Sequence, residues 1–97
     1  MDDTERFRVL FDTNYRRLLA YARRRTNPTD ADDVVADTFT VAWRRLRVIP
    51  EGNELPWLYG VARRSLANRR RSAARYARVQ NRLVAQPPPA PPDTSTN

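Results

Sequence analysis

The chain has 97 residues and a net charge of +7; its 18 basic residues are all arginine, and it has no cysteine and no histidine, so it makes one small domain at most. Without thiols or imidazoles, a disulfide scaffold, thiolate or imidazole metal sites, and Ser-His-Asp or Cys-His nucleophiles are excluded; no catalytic residue, metal or cofactor is expected. No apolar run approaches the ~20 residues of a membrane span, and the acidic N-terminus is unlike a signal peptide, so the expectation is a soluble, cytoplasmic chain.

Two glycines and no run of alternating β-branched residues argue against a sheet. The predicted fold class is all-α: a compact bundle of three to four helices over residues 1–83. Residues 4–25 form the first helix, with Phe7, Leu10, Phe11, Leu18, Leu19 and Ala22 at helical spacing and Tyr15 at the margin. Asp3 or Thr4 can cap it. Arg23, Arg24 and Arg25 sit where cations favour the helix dipole, a role that fits them better than ligand binding.

Pro28 disfavours helical geometry at Asn27 and breaks the chain there. A second helix is predicted from Thr29 to about Arg47, with Asp32 completing a variant capping box. Val35, Phe39, Trp43 and Leu46 form its buried line, with Ala42 beside it. Asp33, Ala36, Asp37, Thr40 and Arg44 lie on the other side. Residues along one helix face do not close around a cation, so the acids here are no metal site. Asp33 and Asp37 are like charges one turn apart, which mildly oppose each other. Two explanations stay open at this point: an acidic helix start, or docking to a basic partner.

Residues 48–55 are a loop with Pro50 and Gly52 as breakers. Asn53 can cap a third helix, and Pro56 is tolerated in its first turn. From Pro56 to Leu83 there are eight arginines and no acid, whereas ten of the eleven acids precede this stretch. Its apolar line runs Leu58, Ala62, Leu66, Ala73, Ala77 and Val84. This describes a helix packed at its start and presenting cations further along, suited to an anionic partner through arginine's planar fork. Leu58 and Val61 fit core packing; Trp57 and Tyr59 can either pack or stack on an unpaired base. A membrane-surface helix is disfavoured, because Ala67, Ala73, Ala74 and Ala77 stand where insertion needs bulky groups. Residues 84–97, rich in proline, are expected to be an extended, disordered linker.

The blocks DADDVVADTFTVAWRRL (30–46) and LPWLYGVARRSLANRRR (55–71), together with FDTNYRRLLAYARRR (11–25), resemble region 2 of extracytoplasmic-function (ECF) sigma factors over roughly residues 5–80. The resemblance implies a helical domain that docks on the clamp helices of the RNA polymerase β′ subunit and captures the promoter −10 element, helping to melt it. By position, it implies polymerase contacts at Asp33, Ala36, Asp37 and Thr40; Ala36 stands where relatives often carry glutamine. It implies a flipped-base loop with Asn53, Glu54, Trp57 and Tyr59, and DNA contacts at Arg63, Arg64, Asn68, Arg70 and Arg71. Gly60 and Arg64 depart from the family's usual residues. Family members carry a −35-reading domain after a linker such as 84–97.

The alternative is an interaction module sequestered by an anti-sigma factor covering the same surfaces. In either case the expected partners are the β′ subunit, the −10 non-template strand and an anti-sigma protein, with no membrane and a monomer when free.

Overall fold

The first two long helices begin where a short side chain accepts from the first free backbone amides. The computed structural model describes residues 1–85; most of the proline-rich 84–97 segment lies outside them. It contains α1 (Asp3–Arg23), α2 (Pro28–Arg44), a 3-10 turn (Leu46–Val48) and α3 (Glu54–Ala85), with no strand among the described residues. The all-α expectation holds.

The caps fall slightly earlier than expected. Asp2, not Asp3 or Thr4, caps α1: its Oδ1 accepts from the Glu5 amide at 2.8 Å. Asn27, not Thr29, caps α2, accepting from the Asp30 amide at 2.8 Å and donating to the Asp30 carboxylate at 3.0 Å. The extended backbone that Pro28 imposes on Asn27 is itself the geometry of an N-cap, and proline in the first turn gives up no helical bond. Val84 and Ala85, expected in the linker, are the last residues of α3.

The three helices pack on one another around Leu18, Val34 and Leu58, all fully buried, with Leu10, Ala22, Val35, Phe39, Ala42, Leu46, Ile49, Ala62 and Leu66. Two buried polar side chains turn back on their own helices. Asn14 donates to the Leu10 carbonyl (2.9 Å) and Thr38 to the Val34 carbonyl (2.8 Å), so neither leaves an unpaired donor in the core. Trp43 departs from its expected buried place: it is 49 % exposed and meets Phe7 edge-on at 5.4 Å. The buried line of α2 runs through Ala31, Val34, Val35, Thr38, Phe39 and Ala42, and Trp43 stands at its rim.

On α3 burial stops early. Leu58, Val61, Ala62 and Leu66 are in the core, while Ala73, Ala77 and Val84, the second half of the expected apolar line, are exposed. No helix among the described residues is long and apolar enough to cross a membrane.

Candidate nucleic-acid interface

Two faces converge on α3. Arg63, Arg64, Asn68, Arg70 and Arg71 are all exposed, but they occupy two flanks. Arg64, Asn68 and Arg71 follow i, i+4, i+7 and share one side of the helix. Arg71 donates to the Asn68 side-chain carbonyl, which ties this row together. Arg63 and Arg70 lie on the other flank, with Tyr59 one turn before Arg63. There Arg70 donates to the Arg25 carbonyl (3.3 Å) at the end of α1. Tyr59 packs on Tyr21 in a tilted pair with centroids 4.7 Å apart, and Arg25 lies 3.6 Å over the Tyr21 ring. Arg25 also donates to the Tyr21 carbonyl at 3.0 Å, in keeping with the helix-end role expected for the 23–25 triplet.

Between the Arg64 flank and α2 runs a groove of about 550 Å³, lined by Asp30, Asp37, Val41, Val61, Arg64, Ser65, Asn68, Arg69 and Ser72. Its carboxylates would repel phosphate were it not for one arginine that the sequence reading did not single out. Arg69 donates to Asp37 Oδ2 at 2.9 Å and pairs with Asp33 Oδ2 at 3.5 Å, while the Ser65 hydroxyl reaches the same Asp37 oxygen at 3.2 Å. The bond to Asp37, opposed by partial desolvation and aided by the charges of Asp37, Asp33 and Asp30, raises the Arg69 pKa above its ordinary value.

This revises the account of Asp33 and Asp37. Their mutual repulsion is relieved inside the chain, so it needs no external partner to explain it. A signal for Arg69 was present in the spacing: residue 69 follows Leu58, Ala62 and Ser65 at i+11, i+7 and i+4, on the side of α3 that faces the bundle. Asp33 and Asp37 remain about half exposed, and both contacts use Oδ2. Ala36 and Thr40 are exposed beside them, with the Thr40 hydroxyl bonded to the Ala36 carbonyl at 2.8 Å.

The loop before α3 is held at several points. Ile49 is buried, its carbonyl accepts from the Arg6 guanidinium at 2.9 Å, and the Asn53 amide donates to the Pro50 carbonyl at 3.3 Å. Gly52 takes a φ of +79°, in open space where an added Cβ would touch nothing, so backbone conformation and not crowding selects glycine here. Glu54 Oε1 accepts from the Gly52 amide at 2.7 Å. Asn53 is exposed, whereas Trp57 and Tyr59 are half-buried and pack against the core.

Next to this loop lies a cavity of about 610 Å³, whose lining includes Arg6, Leu10, Thr13, Asn14, Glu51 and Glu54. Of the four loop residues expected there, it takes in Glu54 but not Asn53, Trp57 or Tyr59. Arg6, Thr13 and Asn14 were missed because α1 approaches the loop only through tertiary packing; Glu51 lies in the loop itself and was passed over for Asn53 and Glu54. Among the described residues no cluster of His, Cys, Asp and Glu could hold a metal ion.

A family model described as sigma-70 region 2 matches residues 10–76, which takes in all of α2, the loop and the groove. No curated protein and no solved structure matches the chain.

Proposed function

The chain belongs to the sigma-70 region 2 family, and from that premise we propose that it is the promoter −10-binding module of an ECF-type sigma factor, acting in the cytoplasm on the RNA polymerase core. Region 2 serves promoter recognition and performs no catalysis of its own; the finer assignments below are our reading.

The observation that carries it is the exposed basic row on α3, whose opposite side is core. Arg64, Asn68 and Arg71 on one flank and Arg63 and Arg70 on the other give a strand phosphate contacts along about 12 Å of helix. Arg69 supports the same reading indirectly, since it screens the α2 carboxylates from an approaching polyanion.

The cavity beside the loop is the place for an unstacked base. Its free acceptors, Glu51 and the second oxygen of Glu54, suit an exocyclic amino group, so cytosine or adenine is expected over thymine. Asn53 is the exposed polar side chain of the same loop, while Trp57 and Tyr59 support it from the core and do not line the cavity.

For the polymerase, Asp33 and Asp37 each leave Oδ1 outside the Arg69 contacts, and a carboxylate accepts several bonds. A basic β′ clamp helix can therefore bind the Asp33, Ala36, Asp37, Thr40 face while Arg69 stays in place. A second reading, capture by an anti-sigma protein, is favoured by the exposed Phe11, Trp43 and Val48, an apolar surface apart from both polar faces.

The test is titration of the purified chain with labelled −10 single strands and with a β′ clamp-helix fragment. Four or five phosphate contacts predict a log–log salt slope of about −3, from ~0.7 per phosphate on single strands. A scrambled strand bound as tightly as the −10 strand would sink the base-capture assignment. Clamp-helix binding unchanged by Asp33→Arg plus Asp37→Arg would sink the docking assignment.

A further inference from the structure

Residues 71–85 of α3 make an arm about 22 Å long beyond the packed half of the helix, and every one of them is exposed. Tyr76, Val79 and Leu83 are 67 %, 52 % and 59 % exposed. With Ser72 they follow i, i+4, i+7, i+11, the seam spacing of a coiled coil. The stripe continues the side of α3 that carries Leu58, Val61 and Ser65 against the bundle, so it is the packed face prolonged beyond its partners.

Beside the seam, one residue behind each member, stand Arg71, Arg75, Arg78 and Arg82, again at i, i+4, i+7, i+11. The arm is thus one apolar rail and one wholly cationic rail, side by side. No acid offsets the second: the sequence has none from Leu55 to Ala85. Like charges at i+3 and i+4 weaken a helix, and one this short is marginal by itself. Most of the arm also lies beyond the residues matched by the family model.

We infer that this arm is a docking surface for an acidic amphipathic helix of a partner protein, which lays its apolar seam on Tyr76, Val79 and Leu83 and its carboxylates along Arg75 and Arg82. Such a partner covers the stripe, neutralises the rail and extends the bundle by one helix. Other occupants answer only part of this. Nucleic acid would use the arginines and leave the apolar stripe bare. A second copy would cover the stripe but bring two four-arginine rails, with no acid in either, to about one Debye length of each other. The inference does not rest on the promoter-binding proposal: its contacts, Tyr76, Val79, Leu83, Arg75 and Arg82, lie beyond the promoter row and take a different ligand, and only Arg71 at the head of the rail is shared.

The probe is a synthetic three-heptad peptide with leucine at the seam positions and glutamate flanking them, titrated by fluorescence anisotropy into the full chain. Its comparisons are a scrambled peptide of equal composition, a lysine-flanked peptide and a DNA duplex. The expected result is binding about tenfold or more tighter than that of the scrambled peptide, with none for the lysine version. Val79→Ser plus Leu83→Ser, and separately Arg75→Ser plus Arg82→Ser, should each weaken it about tenfold. All four residues lie outside the core, so circular dichroism and the unfolding midpoint should show the bundle intact in both variants. Equal binding of the scrambled peptide would reduce the arm to a charge attractor and overturn the inference. So would peptide binding indifferent to the seam variant. Seam-dependent self-association without peptide binding would assign the surface to a second copy, and seam-dependent binding of the duplex would assign it to DNA.

Discussion

The two halves of α3 are written in the same vocabulary and meet different fates. From Glu54 to about Arg70, apolar residues at helical spacing are core and arginines stand around them; from Arg71 to Ala85 the same alternation continues with nothing to cover it. Length explains the difference. At 1.5 Å per residue, α1 and α2 are about 31 and 26 Å long, while the 32 residues of α3 reach about 48 Å. A bundle can bury only what its shorter members span, so the second half of α3 is bare whatever its composition. Amphipathic spacing therefore marks a face that is able to pack, and neighbouring helix lengths decide whether it does so within the chain.

The sharpest way to break this contrast is to truncate one leucine in each half. Leu58→Ala, at a fully buried site, should destabilise the domain by about 2–5 kcal/mol in urea unfolding, whereas Leu83→Ala should stay within about 0.5 kcal/mol. Comparable losses would mean that the arm belongs to the cooperative unit. A smaller effect is expected at the turn that delivers the chain into the packed half. Gly52→Ala forces a side chain into positive φ and should lower stability by about 1 kcal/mol, read from the shift in unfolding midpoint. Smallest is the electrostatic contact near the end of that half. Arg69→Gln should cost at most about 1 kcal/mol, since the pair is partly exposed, and the difference from wild type should shrink between 0.1 and 1 M salt as the Debye length falls from about 10 to 3 Å.

Much of this was legible in the sequence. The three helices, the Pro28 break, the Pro50–Gly52 loop and the early core of α3 follow from periodicity and turn chemistry. The exposed arginines could be picked out because nothing buries an unpaired guanidinium on a helix with core on its other side. Trp43 was misplaced because hydrophobicity marks a residue as able to be buried, and its position at the rim of α2 depends on where α1 begins, at the Phe7 end. Asp33 and Asp37 were recognised as a strained pair, but their answer lay 32 residues away from Asp37, on another helix. The lining of the loop cavity by Arg6, Thr13 and Asn14 was invisible for the same reason: local spacing carries no information about which helix leans on which loop.

The fastening of that loop has a thermodynamic consequence. The buried Ile49, the bond from Arg6 to its carbonyl and the Glu54–Gly52 bond fix the segment before any ligand arrives. A molecule entering the adjacent cavity then loses only its own freedom, because the protein has little conformational entropy left there to surrender. For an extruded base, the main expense becomes breaking the stack it leaves. On this account, selectivity among strands should follow how readily each one opens as much as how well its base is held.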